Sequence, residues 1–304
     1  MNTRGGGLHL VRLFVCLMTL VVMSGCEASP RPAEARPRTL RVLVWNIWHG
    51  GREDGEAGLD RVIEILRAAD ADVVLMVETY GSGPQIAGRL GYRLHMHDPT
   101  NRGDNLAILS RYPIREDISV WEQFQSLGAV IDVPGLGEVA VCNVWLSYAD
   151  EIWEPGTRER FTTQQMIDQC RASSLRDLKQ IMPALHRRLG GREIPTIVGG
   201  DFNAMSHLDY TAEATDQYGA VIDWPVTRYM QELGYSDAYR EVHPRVRRLV
   251  DRTWTPRFPD QQQDRIDYVF YRGQGLRCVH ARVIDRHPAL FPSDHAAVLV
   301  DLAF

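Results

Sequence analysis

The stretch from Ile197 to Asn203, with the sequence Ile-Val-Gly-Gly-Asp-Phe-Asn, constrains the fold of this chain more than any other. Its apolar start predicts the end of a short buried strand, and the two glycines permit a tight turn where that strand stops. Asp201 and Asn203 are then expected on the same side, because strand side chains alternate with a period of two. Such a pair suits a phosphate or a metal ion, although the stretch alone is equally typical of an ordinary turn rich in Gly, Asp and Asn.

Polar residues also occur at the ends of other apolar runs, or inside them. They are Asn46, Glu78, Asp267 and the neighbouring pair Asp294 and His295. A carboxylate in an apolar strand costs free energy unless it is paired or bound to a cation. One such position is explained by a turn cap or a buried ion pair, whereas five in one chain indicate a common site. Asn, Glu and Asp supply hard oxygen ligands suited to Mg²⁺, Mn²⁺ or Ca²⁺, and no clustered Cys/His spacing suggests zinc.

The periodicity of apolar residues predicts a mixed α/β (α+β) domain. Helices are expected over residues 58–69, 82–90, 160–189 and 226–234. Strands are expected over residues 40–47, 72–77, 92–97, 105–110, 114–121, 127–133, 138–146, 194–199, 265–271, 276–284 and 296–302. No linker or repeat interrupts this pattern, so we expect one domain over residues 39–304, with two sheets packed face to face and helices outside.

The N-terminal residues predict export and a lipid anchor. Arg4 and Arg12 precede or flank an apolar run, Leu13–Met23, that is too short to span a bilayer and has the form of a signal-peptide core. The run ends in Met-Ser-Gly-Cys, which resembles the bacterial lipobox whose cysteine, here Cys26, is lipidated; a plain secretory signal is the alternative. We expect a signal peptide over residues 1–26, a proline-rich tether over 27–38, and a protein anchored to a bacterial membrane, facing the periplasm or the exterior.

Charge and cysteine content narrow the possible partners. The net charge of -5 does not favour non-specific binding to long nucleic acid, which depends on a positive field. After removal of the signal peptide, Cys142, Cys170 and Cys278 remain in an oxidising compartment, so at most one disulfide can join them. Cys142 lies in an apolar strand pattern and is expected to be a buried thiol.

The ordered set of motifs resembles the endonuclease/exonuclease/phosphatase superfamily, which includes DNase I, abasic-site endonucleases, neutral sphingomyelinases and inositol polyphosphate 5-phosphatases. The motifs are Trp45-Asn46, Val77-Glu78, Ile108-Leu109-Ser110-Arg111-Tyr112-Pro113, Gly200-Asp201-Phe202-Asn203, Arg265-Ile266-Asp267-Tyr268 and Ser293-Asp294-His295. Three further motifs resemble a secreted bacterial branch of that family: Ser206-His207-Leu208-Asp209, Trp224-Pro225 and Thr253-Trp254. The resemblance implies a DNase I-like, four-layer α/β/β/α sandwich with its site at one edge of the paired sheets.

The resemblance also implies roles for the polar residues. Glu78 is expected to hold a divalent cation, Mg²⁺ or alternatively Mn²⁺ or Ca²⁺, with Asn46 and Asp294 close to it. The implied catalytic residues are Asp201, which orients and deprotonates the attacking water, Asn203, which donates to a phosphate oxygen, and His295, which contacts the phosphate and is held by Asp267. Phosphoryl transfer needs charge on the phosphate oxygens neutralised and a water held in line, and this set supplies both.

One position departs from the family pattern. Many members carry a histidine in the strand that resembles Asn143-Val144-Trp145-Leu146, where this chain has Trp145. An indole donates a hydrogen bond but does not titrate, so Trp145 is expected to contact the substrate and not to transfer a proton. Arg111, in the Ser-Arg-Tyr-Pro motif, is the second expected substrate contact.

These inferences predict a monomeric, metal-dependent phosphoesterase that cleaves phosphodiester or phosphomonoester bonds by direct attack of water. The substrate class stays open among nucleic acid, a phospholipid head group and a sugar or inositol phosphate. Two other functions are possible from the sequence. A catalytically silent lipoprotein on the same fold could bind a phosphate ligand, but it would be free to lose Glu78 or Asp201. A purely structural lipoprotein leaves the five polar strand ends unexplained.

Overall fold

A computed structural model describes residues 39–149 and 152–304, so the expected signal peptide, tether and Cys26 lie outside the described residues. The strands are β1 Thr39–Asn46, β2 Val73–Val77, β3 Arg93–His95, β4 Ala107–Ser110, β5 Ile114–Asp117, β6 Ser126–Val133, β7 Gly137–Trp145, β8 Thr196–Asp201, β9 Ser236–Asp237, β10 Asp267–Arg272, β11 Arg277–Ile284 and β12 Ala297–Ala303. The helices are α1 Trp48–Gly51, α2 Glu56–Ala69, α3 Gly83–Leu90, α4 Thr163–Ala172, α5 Ser174–Leu189, α6 Thr215–Tyr218, α7 Pro225–Glu232, α8 Ala238–Val242 and α9 Arg248–Asp251, with 3₁₀ turns at Arg158–Arg160 and Ala212–Ala214.

The strands form two six-stranded sheets. The first has the order β11-β12-β1-β2-β4-β3 and the second the order β5-β6-β7-β8-β10-β9. Most neighbours are antiparallel, but β1 with β2 and β7 with β8 run parallel, and each parallel pair lies at the middle of its sheet. The carboxyl ends of parallel neighbours lie at one edge of a sheet, so each sheet brings two strand ends to the same edge.

Apolar residues divide the domain into four layers. The inner faces of the two sheets pack on each other, with Val42 and Leu75 of one sheet in the same cluster as Val141 and Ile197 of the other. On the outer face of the first sheet, α2 and α3 bury residues such as Leu59 against it. On the outer face of the second sheet, α4, α5 and α7 form a third cluster. The predicted four-layer α/β/β/α sandwich is therefore confirmed.

The two glycines of the Ile197–Asn203 stretch have a different role from the one predicted. Strand β8 continues through both glycines to Asp201, so the chain does not turn there. A Cβ atom at Gly200, where φ is +141°, would lie 1.9 Å from the carbonyl oxygen of Val144, and one at Gly199 would lie 2.6 Å from Cγ2 of Val44. The glycines therefore allow β8 to pass close to its neighbour β7 in the same sheet and to β1 in the facing sheet, and this close packing fixes the position of Asp201.

Two other expectations on the domain change in detail. The helical region predicted over residues 160–189 is two helices, because Ser173 leaves the helical conformation with φ -114° and ψ -99°. Within the described residues, Cys142, Cys170 and Cys278 are all buried and free, so none of them forms a disulfide. No helix in residues 39–149 and 152–304 is both long and apolar enough to cross a bilayer.

Candidate active site

Strand ends from both sheets converge on one polar cluster. Asn46 ends β1, Glu78 follows β2 and Asp201 ends β8. The carboxamide Nδ2 of Asn46 donates to Glu78 Oε1 at 3.0 Å and lies 3.2 Å from Asp201 Oδ2, so it bridges the first sheet to the second. The predicted clustering of these side chains is therefore found, although they lie far apart in sequence.

Asp201, Asp267 and His295 form the buried centre of this cluster. Asp267 lies opposite Asp201 in the antiparallel pair of β10 and β8. His295 Nδ1 lies 2.9 Å from Asp267 Oδ2, and its Nε2 lies 3.8 Å from Asp201 Oδ2. One ligand atom from each of the three residues lies within 4.8 Å of the others, so the group could also hold a metal ion. The arrangement keeps one ring nitrogen of His295 on a carboxylate and directs the other towards Asp201.

Burial and neighbouring charges shift the pKa values of this centre. Burial raises the pKa of Asp201 to about 7, and His295 acts in the opposite direction. Burial alone would lower the pKa of His295, but the carboxylates of Asp267 and Asp201 outweigh it and raise that pKa well above its usual value. His295 is therefore the protonated member at neutral pH, and Asp201 is the carboxylate that exchanges a proton near neutrality.

Backbone contacts fix the two residues that flank the centre. The peptide N–H of Asn203 donates to Asp201 Oδ1 at 2.9 Å, and the Asn203 side chain donates to the carbonyl oxygen of Leu146 at 2.9 Å. On the other side, the indole Nε1 of Trp45 donates to the carbonyl oxygen of His295 at 2.8 Å. Asn203 thus lies beside Asp201 with its carboxamide held at the end of β7.

Glu78 and Asp294 form a second carboxylate pair, and their chemistry fits a divalent cation. Burial raises the pKa of Asp294 to about 6, and repulsion from Glu78 adds to that increase. A bound cation would relieve this repulsion, and two carboxylates are the ligand type that Mg²⁺ prefers. Asn46 Oδ1 accepts from the peptide N–H of Trp48 at 3.0 Å, so Asn46 would become a ligand only with its amide turned over.

Several residues at the site adopt backbone conformations that L-amino acids rarely take. The φ angles are positive at Trp48 (54°), His49 (47°), Glu78 (57°) and Asn203 (45°). Such conformations cost free energy and persist where the surrounding structure demands them, often at functional sites. At Glu78 this surrounding structure includes Asn105, whose Oδ1 accepts from the Glu78 peptide N–H at 2.8 Å. No motif or periodicity had indicated these conformations.

The polar centre opens into a cavity of about 430 Å³. Its lining includes the polar residues Glu78, Asp201, Asn203, Asp294 and His295 and the aromatic residues Trp48, Trp145, Tyr148, Trp153, Trp254 and Phe258. Trp145 lies opposite Asp201 in the register of β7 and β8, so it stands at the cavity as the sequence analysis expected. Its contact with a substrate stays a prediction.

Arg111 is not brought to this site, and its assignment as a substrate contact was wrong. Strand β4 runs antiparallel to β2, so Arg111, which follows β4, lies at the amino end of β2 and Glu78 at the other end. Its peptide N–H donates to the carbonyl oxygen of Asp72 at 2.9 Å, and its guanidinium pairs with Asp70. The Ser-Arg-Tyr-Pro motif around Arg111 therefore lies at the opposite edge of the sheet.

A buried ion-pair network behind the site was missed by the sequence analysis. Arg265, 1% exposed, pairs with Asp209 at 2.9 Å and with Asp237 at 2.7 Å. Arg240 pairs with the same Asp209 at 2.6 Å and with Asp251 at 2.8 Å. Arg265 lies two residues before Asp267, so the network holds the start of β10 and the residue that orients His295. Arg265 and Asp209 each lie in a motif named above, but the partners are distant in sequence and the motifs did not indicate that they pair.

The family follows from comparison with known proteins. A family model described as the endonuclease/exonuclease/phosphatase family matches residues 43–295. The chain belongs to this family. Members of the endonuclease/exonuclease/phosphatase family are hydrolases that act on phosphoester bonds, and they typically use a divalent metal.

Individual proteins are similar to this chain in sequence or in fold. An uncharacterized protein of Caenorhabditis elegans is 26% identical over 330 residues, covering 96% of this chain and 98% of the relative. The solved structure of an endonuclease/exonuclease/phosphatase of Beutenbergia cavernae is 22% identical in sequence and has a TM-score of 0.56. The match covers 88% of this chain and 72% of the Beutenbergia chain. TDP2 of C. elegans shares the fold with 17% identity and a TM-score of 0.59, and the match covers 88% of this chain and 75% of TDP2. An AP endonuclease of Archaeoglobus fulgidus shares it with 18% identity and a TM-score of 0.57, and the match covers 86% of this chain and 98% of the endonuclease.

Proposed function

We propose that this chain is a divalent-metal-dependent phosphoesterase that hydrolyses its substrate by direct attack of water. The observation that carries the proposal is the buried group of Asp201, Asp267 and His295, which borders the same cavity as the carboxylates of Glu78 and Asp294. A silent phosphate-binding protein would not require a carboxylate with a raised pKa beside a protonated histidine. The intact set therefore favours an enzyme over the silent alternative.

In this mechanism each residue has one task. Asp201 accepts a proton from the attacking water, which it holds in line with the phosphorus. His295, protonated and held by Asp267 at 2.9 Å, donates from Nε2 to a phosphate oxygen, and Asn203 donates to another. Glu78 and Asp294, with Asn46 beside them, would hold Mg²⁺, or alternatively Mn²⁺ or Ca²⁺. The cation would supply neutralisation of charge on the phosphate and on the departing oxygen.

A phosphoester panel tests this proposal. The purified full chain is incubated with a nucleotide diester, a phospholipid, a sugar phosphate and an inositol phosphate, each in Mg²⁺, Mn²⁺ or Ca²⁺. We expect hydrolysis of at least one class above the rate of a double variant, Asp201→Asn with His295→Ala. If no class is cleaved faster than by the double variant under any metal, the proposal is wrong.

We also propose that the protein is an exported lipoprotein anchored through Cys26, a residue outside the described range. The support is the signal-like apolar run and the lipobox-like Met23–Cys26 tetrapeptide. Expressed in a bacterial host, the wild-type chain should partition with the membrane fraction, and Cys26→Ser should release it. Cys16→Ser, in the apolar run itself, is the matched control and should leave partitioning unchanged. A wild-type chain that is already soluble would contradict the anchor.

A further inference from the structure

The cavity beside the catalytic centre has walls made mainly of aromatic rings. Trp254 begins this wall directly at the phosphate-binding end, with its ring centroid 4.9 Å from that of His295. Ring contacts then continue from Trp254 to Trp153, from Trp153 to Tyr148 and from Tyr148 to Trp145, at centroid distances of 6.3, 6.4 and 6.3 Å. None of these rings has a task in the proposed chemistry, so they are available to bind another part of the substrate.

The angles between the rings indicate a box and not a stacking slot. Interplanar angles within the wall are 57°, 75° and 73°, and Trp48 meets Phe258 across another part of the lining at 88°. A base that stacks on side chains needs a ring face parallel to its own, whereas rings set at steep angles enclose a compact group from several sides.

The indole N–H groups do not contribute polarity to this box. The Nε1 atoms of Trp145, Trp153 and Trp254 are buried and have no hydrogen-bond partner among the described residues. These three side chains therefore offer no accessible N–H to the cavity, and the faces of aromatic rings carry the partial negative charge that attracts cations.

The charge of the lining also favours a cation. Of the four carboxylates that border the cavity, those of Glu78, Asp201 and Asp294 are assigned to the metal ion and the attacking water, so Glu154 is the one that remains to pair with an organic cation. No lysine or arginine is among the described lining residues. Glu154 adjoins Trp153, accepts from Gln261 Nε2 at 2.6 Å, and has no role in the proposed hydrolysis. A polynucleotide would bring further phosphates that need positive partners, and this lining offers none.

Two arginines that lie close in sequence to the lining residues, Arg257 and Arg158, are already paired with carboxylates. Arg257 donates to Asp54 at 2.8 Å, with its guanidinium 5.0 Å from the ring centroid of Trp48. Arg158 pairs with the buried carboxylate of Asp264. Neither side chain is among the residues that line the cavity.

We propose that the aromatic box, formed by Trp48, Tyr148, Trp153, Trp254 and Phe258 with Glu154 at its side, binds an organic ammonium group of the substrate. The inference rests on the proposed function and specifies it: the substrate is a phosphoester of an amino alcohol. Its phosphate lies at Asp201 and His295, and its ammonium group lies in the box, one short spacer away. Cation–π attraction and the Glu154 carboxylate supply the recognition.

A pair of substrates that match in shape but differ in the charge of one group tests this inference. The first is p-nitrophenyl phosphorylcholine, and the second is its uncharged isostere, in which a tert-butyl group replaces the trimethylammonium group. With the wild-type chain in Mg²⁺, we expect kcat/KM to be at least about tenfold higher for the cationic substrate. Equal rates for the two would overturn the inference while leaving the proposed function intact, as would a preference for thymidine p-nitrophenyl phosphate over both.

Two substitutions test whether Glu154 contacts the ammonium group. Glu154→Gln should reduce the cationic preference several-fold by raising KM for the cationic substrate, with the uncharged isostere unaffected. Glu159→Gln makes the same change five residues away at an exposed position and should alter neither substrate. If Glu154→Gln lowers both rates equally, Glu154 does not face the ammonium group.

A binding measurement separates this inference from the proposed function. If neither p-nitrophenyl substrate is cleaved, quenching of tryptophan fluorescence is measured with phosphocholine and with its uncharged isostere. Stronger quenching by phosphocholine that Glu154→Gln weakens would uphold the ammonium site even though the hydrolysis proposal fails on these substrates. Equal or absent quenching would overturn it.

Discussion

Removal of divalent metal is expected to abolish phosphoester hydrolysis by this chain, and addition of Mg²⁺ or Mn²⁺ is expected to restore it. Without a cation, Glu78 and Asp294 repel each other, and the pKa of Asp294 rises to about 6 because of burial and that repulsion. The phosphate would then meet uncompensated negative charge at the site. The measurement is the rate of hydrolysis during titration with EDTA, followed by back-titration with each metal.

The Mg²⁺ concentration that the protein requires is expected to depend on pH. A proton on Asp294 competes with the cation, so the Mg²⁺ concentration for half-maximal rate should increase as pH falls through about 6. Glu78→Gln should raise that concentration at every pH, whereas Glu122→Gln, at an exposed position, should not. Full activity in a preparation shown to be free of metal would contradict the assignment.

Asp201→Asn is expected to lower kcat by at least about a hundredfold, which is the lower range for loss of a general base. Asparagine keeps the shape of the side chain and its contact with Asn203 but cannot accept a proton from water. Without a cation, burial raises the pKa of Asp201 to about 7, so protonation of Asp201 should make the wild-type rate fall as pH decreases. A bound cation stabilises the carboxylate and moves that fall to lower pH. In Asp201→Asn, the rate should no longer show this decrease at low pH.

The same variant distinguishes two roles for Asp201. The ligand atoms of Asp201, Asp267 and His295 are close enough to hold a metal ion, so Asp201 could be a ligand as well as a base. If Asp201 is the base, the Mg²⁺ concentration for half-maximal rate should be unchanged in Asp201→Asn. Recovery of wild-type kcat at high Mg²⁺ would instead make Asp201 a ligand. Asp216→Asn, at an exposed position on α6, is the control and should behave as wild type.

The sequence allowed the polar centre to be predicted because its residues lie where apolar strands begin or end, and these strand termini meet at one edge of the paired sheets. The same reasoning failed for Arg111. A motif shows that a strand ends, but it does not show which end of the sheet is reached, and β4 runs opposite to β2. The two glycines of β8 were noticed in the sequence, but the reason that Gly200 must be glycine was not. The backbone of Val144 lies too close to Gly200 for a Cβ atom, and this distance depends on tertiary packing.

The aromatic wall was harder to predict than the polar centre. Apart from Trp145, its residues lie on connections that follow no helical or strand period, such as those with Trp153 and Trp254. A tryptophan in a connecting segment can lie in the core, on the surface or in a binding site, and only tertiary packing determines which. The fold class, by contrast, depends on periodic runs, which is why the four-layer architecture could be predicted from the sequence.

The first and last strands of the domain are hydrogen-bonded neighbours, with Thr39 opposite Ala303 and Leu40 opposite Leu302. The catalytic centre likewise takes Asn46 from the beginning of the described chain and His295 from near its end. Contacts of such long sequence separation form late in folding. During synthesis on the ribosome, a nascent chain that lacks β12 therefore contains every residue of the proposed site but lacks the strand that joins β11 to β1. We therefore expect the site to take its final geometry only after β12 has paired with β1, the strand that carries Asn46.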